Sequence, residues 1–244
     1  MFIANWKMNG SEAMLENWLK GVSSTLDSNS QNKCILCPPV CFLSQASRII
    51  RSEKLNISLG AQNIDSFNFS SLTGGINGSM LKELGSEYVI IGHSERREAF
   101  KEGNQLLLDK LNSASQEGLK VIFCIGESSK QKEQDETLEV LNKQLEIVDK
   151  AKMNEFMIAY EPIWAIGSGQ TAKRSDVKYI HKKIIEEVNS FEKKGFLGVS
   201  YGGSVDASSS KDFIAIEEVQ GLLIGGASLK YEDFCNIVLN SGQN

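Results

Sequence analysis

Proline, histidine and basic runs are what this 244-residue chain has least of. It carries three prolines and two histidines. Lys and Arg are scattered, with nothing longer than "ERRE" and short pairs, and the net charge is −5. Both features argue against nucleic acid or an acidic membrane surface as a partner. No apolar run nears the roughly 20 residues of a membrane-spanning helix. The N-terminus reads directly into strand-like sequence, without a basic leader, apolar block or cleavage site, so no signal peptide is expected. The five cysteines, Cys34, Cys37, Cys41, Cys124 and Cys235, are odd in number and mostly sit in apolar runs. That pattern suits a reduced, cytoplasmic protein. Cys34, Cys37 and Cys41 could suggest a metal, but neither a second cluster nor a nearby His completes a site. No metal is expected, and the thiols read as structural.

What the chain does have is one repeated theme: a short apolar run, a polar or glycine-rich turn, then an amphipathic segment. Eight apolar runs occur: "FIANW", "KCILC", "ISLGA", "YVIIGH", "KVIFCIGE", "FMIAYEP", "FLGVSYGG" and "GLLIGGA". Helical patterns lie between most of them, such as Ser11 to Leu26, Leu138 to Ala151 and Val177 to Lys194. Strand alternating with helix predicts βαβ units and a parallel sheet. Eight units in about 250 residues predict a closed (β/α)8 barrel of class α/β, as a single domain over residues 1–244. The runner-up is an open doubly wound sheet. It usually carries a glycine-rich turn after its first strand, and "KMNGSE" holds no GxGxxG, so no nucleotide cofactor is expected either.

In such barrels the groups at the carboxyl ends of the strands converge on one site. The first strand, read as Phe2 to Met8, alternates to put Asn5 and Lys7 on one face and Trp6 and Met8 on the other. An unpaired ammonium is a poor choice for core packing, so Asn5 and Lys7 are expected at the mouth. The fourth run ends in "IIGHSERR". His93 follows it, with Ser94 expected as the cap of a short helix, and the helix N-terminus should favour the neutral imidazole. His181, inside "KYIHKKI", reads as surface or packing. The sixth run ends at Glu161, held extended by Pro162, as suits a general base. The loop "IWAIGSGQTA" after it mixes apolar residues with Gly167 and Gly169, which suits a lid over a ligand. "SYGGSV" and "LIGGAS" end the seventh and eighth runs, where barrels often bind phosphate. Ser204, Gly225 and Gly226 are candidate contacts there. A carboxylate base, an imidazole, an ammonium and an amide beside a phosphate cradle suit proton transfer next to a carbonyl in a small phosphorylated substrate.

"NWKMNG", "GHSERR", "CIGE", "YEPIWAIGSG", "YGGSV" and "GGASL", in this order and spacing, resemble the signature segments of the triosephosphate isomerases, from Phe2 to about Phe234. That family is itself the type example of this barrel, of a Glu paired with a neutral His, and of a closing loop. The resemblance implies interconversion of dihydroxyacetone phosphate and glyceraldehyde 3-phosphate through an enediol-like intermediate. It implies Glu161 as base, His93 as electrophile, Lys7 as the phosphate-attracting ammonium and Asn5 as the amide that orients the substrate oxygen. Glu95 would position Lys7. Gly167, Ser168, Ser204, Gly225 and Gly226 would cradle the phosphate. A homodimer is implied, with Thr73 at the tip of the interface loop. The sequence departs from the family at Gly75, where a Glu is expected, at Ser168 and Gln170 in the lid, and over Lys173 to Tyr179. A Schiff-base aldolase would need a lysine where Glu161 stands, and a metal-dependent epimerase would need several His and Asp ligands. A barrel that binds phosphate without catalysis is the remaining alternative.

Overall fold

The structure is a computed structural model that describes residues 1–26, 32–67, 71–166 and 171–241. Its strands are β1 (Phe2–Asn5), β2 (Cys34–Cys37), β3 (Ile57–Ala61), β4 (Tyr88–Ile91), β5 (Lys120–Ile125), β6 (Phe156–Tyr160), β7 (Phe196–Tyr201) and β8 (Gly221–Ile224). Each pairs in parallel with the next, and β1 pairs with β8, so the sheet closes into an eight-stranded barrel. All eight apolar runs of the sequence are strands of it. Helices connect the strands on the outside, among them Glu12–Thr25, Thr137–Lys150 and Arg174–Ser190. These match the helical patterns, except that the last ends at Ser190 instead of running on to Lys194.

Period-two alternation sorts the side chains into two layers. Ile3, Ile35, Tyr88, Ile90, Ile122, Cys124, Met157, Ala159 and Leu223 fill the barrel interior. Their strand neighbours, such as Ala4, Val121, Phe123, Ile158 and Tyr160, face the helices. The inward rows lead to the ends of the strands and just past them, to the residues that line the mouth. Ile3 is followed two residues on by Asn5, Met157 and Ala159 by Glu161, and Leu223 by Gly225. A parallel barrel buried on both faces demands apolar residues along the strands. Polar groups can therefore enter these rows only at the ends.

One expectation fails at the first strand. β1 stops at Asn5, and Lys7 takes a left-handed backbone with φ 52°. Lys7 thus reaches the mouth through a turn, not through strand alternation. Its carbonyl accepts a hydrogen bond from Gln62 Nε2 at 2.9 Å, and its N–H donates to Asn5 Oδ1 at 3.1 Å. Those two bonds hold a conformation that non-glycine residues seldom adopt. Met8, read on the same strand face as Trp6, is instead 97% exposed, whereas Trp6 is buried.

Candidate active site

Asn5, Lys7, His93, Glu161, Ser204, Gly225 and Gly226 line one cavity of about 220 Å³ at the carboxyl end of the strands. Gly167 and Ser168, and with them Gln170, lie outside the described residues. Ile166, Gly202, Gly203, Val205, Leu223 and Ala227 complete the described lining. Of these, the glycines of "YGG" were legible as a turn, and the apolar residues carried no signal that separated them from core.

Glu161 stands at the centre. It is 2% exposed, and its Oε1 lies 2.9 Å from His93 Nε2. Its Oε2 accepts the Ser94 N–H at 3.1 Å. Burial alone would push this carboxyl up, but the charge and hydrogen bond of His93, the Ser94 amide and Lys7 outweigh it, and the pKa is lowered. Glu161 is therefore ionised at neutral pH.

His93, not Ser94 as expected, caps the helix Ser94–Ala99: its Nδ1 accepts the Glu95 N–H at 3.3 Å. An acceptor carries no proton, so in this geometry the proton resides on Nε2 and is donated to Glu161. Burial would lower the imidazole's pKa, but the Glu161 charge, its hydrogen bond and the Glu95 charge outweigh that and raise it. The helix N-terminus and the carboxylates thus pull in opposite directions. A second proton would have to displace the Glu95 amide from Nδ1.

Lys7 Nζ pairs with Glu95 Oε1 at 2.6 Å, with the lysine side chain 28% exposed. A Cβ on Gly225 would touch Lys7 Cε at 3.5 Å, whereas one on Gly226 would meet nothing within 4 Å. The backbone at Gly226 is therefore open to an approaching anion. Three supports carry no signal in the sequence. Gln62 also donates to the Cys37 carbonyl at 2.8 Å, tying β2 to the Lys7 turn. Arg97 Nε and Nη2 donate to the carbonyls of Gly92 at 2.7 Å and Cys124 at 2.9 Å, which anchors the His93 turn to β5. Glu127 Oε1 accepts from Tyr160 OH at 3.1 Å and from Trp164 Nε1 at 2.8 Å, bracing the chain on both sides of Glu161. Only tertiary contact distinguishes these polar side chains from surface ones.

A closed parallel barrel whose mouth gathers an ionised carboxylate, an imidazole N–H, an ammonium and open glycine backbone belongs to the class of (β/α)8 enzymes. The family model described as Triosephosphate isomerase matches residues 1–241. A relative from Dictyoglomus thermophilum named triosephosphate isomerase is 40% identical over 242 residues, 96% of each chain. One from Shewanella sp. strain MR-4 with the same name is 36% identical, covering 99% of this chain and 98% of its own. The crystal structure of triosephosphate isomerase from Bartonella henselae superposes with a TM-score of 0.87 at 34% identity, covering 98% of both chains. The chain belongs to the triosephosphate isomerase family, and it is an aldose–ketose isomerase of triose phosphates. Nothing in these comparisons favours a barrel that merely binds phosphate.

Proposed function

We propose that Glu161 is the base that carries a proton between the two carbons of the triose phosphate. Its carboxylate removes the proton from the carbon next to the carbonyl, and the electron pair moves onto the carbonyl oxygen. His93 donates Nε2–H to that oxygen as charge develops. The hydroxyl on the adjacent carbon then gives its proton back to His93 Nε2, Glu161 returns the abstracted proton to the former carbonyl carbon, and the carbonyl reforms one position along. No electrons leave the substrate and no cofactor takes part. Lys7 draws in the phosphate and stabilises the oxyanion, Asn5 orients the substrate oxygen, and Glu95 holds Lys7. Ser204, Gly225 and Gly226 cradle the phosphate, together with Gly167 and Ser168. A dry cavity around the ligand would keep the intermediate from losing its phosphate and would strengthen each hydrogen bond within it.

The observation that carries this reading is the 2.9 Å approach of Glu161 to His93 in a cavity that Lys7 and Asn5 also line. The test is a coupled isomerase assay on purified protein with a phosphorylated transition-state mimic as inhibitor. Turnover blocked by the mimic, with NMR shifts at His93 and Gly226, is expected. Turnover insensitive to the mimic would overturn it.

The same reading extends to assembly. Met8, Phe100, Val40 and Leu72, between 50% and 97% exposed, line one groove beside Thr73. Such a patch is costly in water, and a second copy of the chain, with Thr73 at the interface, would cover it. Gly75 removes the carboxylate expected at this edge, so the contact would be looser there. Sedimentation should give a dimer, and a monomer at working concentration would exclude it. A single catalytic domain in the cytoplasm fits the closed barrel, the five free cysteines and, among the described residues, no helix long and apolar enough to cross a membrane.

A further inference from the structure

We infer that Gln144, on the outer helix Thr137–Lys150, is a positioning residue for the base. The inference rests on Glu161 being that base. The Gln144 side-chain amide pairs with both backbone polar groups of one residue, Gly126. Its Nε2 donates to the Gly126 carbonyl at 3.0 Å, and the Gly126 N–H donates to its Oε1 at 2.8 Å. Gly126 is buried just past the end of β5, where the sheet no longer satisfies its polar groups, so the amide acts as a substitute strand neighbour.

The clamped residue, Gly126, is the middle of a short rail under the base. On one side, the Glu161 N–H donates to the Ile125 carbonyl at 2.8 Å. At the centre, Gly126 lies flat against the Glu161 carbonyl, so closely that a Cβ there would collide with it. On the far side, the Ile163 N–H donates to the Glu127 carbonyl at 3.1 Å, and the Glu127 carboxyl holds Tyr160 and Trp164. Residues 160 to 164 are thus laid along residues 125 to 127, and Gln144 fixes the centre of that track from outside the barrel. It touches neither the cavity nor any reacting atom. A misplacement of the base by about 1 Å costs on the order of 10²-fold in rate. A clamp at this point therefore acts on turnover more than on substrate binding.

The test compares Gln144→Leu, Gln144→Glu and Glu161→Gln in the full chain, measuring kcat, KM and thermal midpoint. Gln144→Leu leaves the Gly126 N–H and carbonyl unpaired. It should lower kcat roughly ten- to a hundredfold with KM changed by less than about threefold. Gln144→Glu is the sharper probe. A protonated carboxyl can donate to the Gly126 carbonyl and accept from its N–H, as the amide does. An ionised one can only repel that carbonyl. The ratio of its kcat to that of the parent should be near one at the acid end and fall as pH rises through the titration of the introduced carboxyl. Burial against a carbonyl moves that titration above the ordinary carboxylate range. A role in stability alone would lower the thermal midpoint of both variants and leave the kcat of folded protein and the pH profile unchanged. That result, or a Gln144→Glu ratio flat with pH, overturns the inference. If the Leu variant does not fold, the pH profile of Gln144→Glu decides by itself. Glu161→Gln separates the two readings. Parent-like turnover there would remove Glu161 as the base, whereas an inactive Glu161→Gln beside a flat Gln144→Glu profile would remove only the role of Gln144.

Discussion

His93 at the barrel mouth and His181 behind the barrel wall are the chain's two histidines, 6% and 0% exposed, and their surroundings drive them in opposite directions. Burial acts on both first, and it disfavours the cation. At His181 nothing counters it sufficiently: the pKa falls to about 4, although the Glu218 carbonyl favours the charged form. Nδ1 lies 3.0 Å from that carbonyl, so Nδ1 carries the proton, and Nε2 is buried with no partner among the described residues. Its ring packs edge-on to Tyr160 at 5.8 Å and is tilted against Tyr201 at 6.4 Å. At His93 the Glu161 and Glu95 carboxylates reverse the outcome, and the proton sits on Nε2. One side chain thus becomes a packing ring that donates only to a backbone carbonyl in one place, and a donor to a carboxylate in the cavity in the other. Burial does not distinguish the two, because both have it. The carboxylates brought to one of them do.

The contrast can be broken most severely at Glu161. Glu161→Asp withdraws the carboxylate by about one bond length and should lower kcat by roughly 10²–10³-fold with the fold intact. A coupled assay checks this, and near-normal turnover would remove Glu161 from its role. The other region should show itself in stability. His181 has a depressed pKa in the folded state, so the unfolded chain takes up its proton first as pH falls. Its contribution is present in full above about pH 6.5 and is lost down to about pH 4, amounting to about 3 kcal/mol. Denaturant titrations across that window should show this slope, and His181→Phe should flatten it. An unchanged slope would assign the acid sensitivity elsewhere.

Lys7→Ala probes the mouth's cation, whose charge also holds the His93 pKa down. Losing the ammonium should raise KM and lower kcat together, by about tenfold in kcat/KM; unchanged kinetics would exclude Lys7 from the site. The smallest effect is the most direct comparison. In Glu161→Gln the carboxylate that holds His93 up is gone, so the His93 pKa should fall and move towards the behaviour of His181. Imidazole shifts in a pH titration by NMR read it, and an unmoved His93 would mean that Glu95 alone sets its charge.

Much of this was legible along the chain. The eight apolar runs are the eight strands, and continuing their inward rows by two residues leads to Asn5, Glu161 and Gly225. The failures share a cause. Strand alternation does not reach Lys7, because β1 stops at Asn5 and the Lys7 turn is held by Gln62, 55 residues away. Ser94 looked like the cap by residue type, but the imidazole before it reaches the Glu95 amide. His181, read as surface or packing, is wholly buried packing, since its helix turns that face onto Tyr160 and Tyr201. Gln144 gave no sign at all, as a glutamine on a helix normally faces water.

By itself the sequence determined the strand and helix alternation, the closed parallel barrel and the rim on which the polar groups gather. Those follow from periodicity and turn chemistry, which are properties of neighbours along the chain. Only the tertiary structure decided that Glu161 meets His93, that Glu95 meets Lys7 and that Gln144 clamps Gly126. With those meetings it decided which imidazole is held up and which is held down. Electrostatic and hydrogen-bond energies depend on distance through space, and residues 68 or 88 positions apart acquire a distance only when the barrel closes.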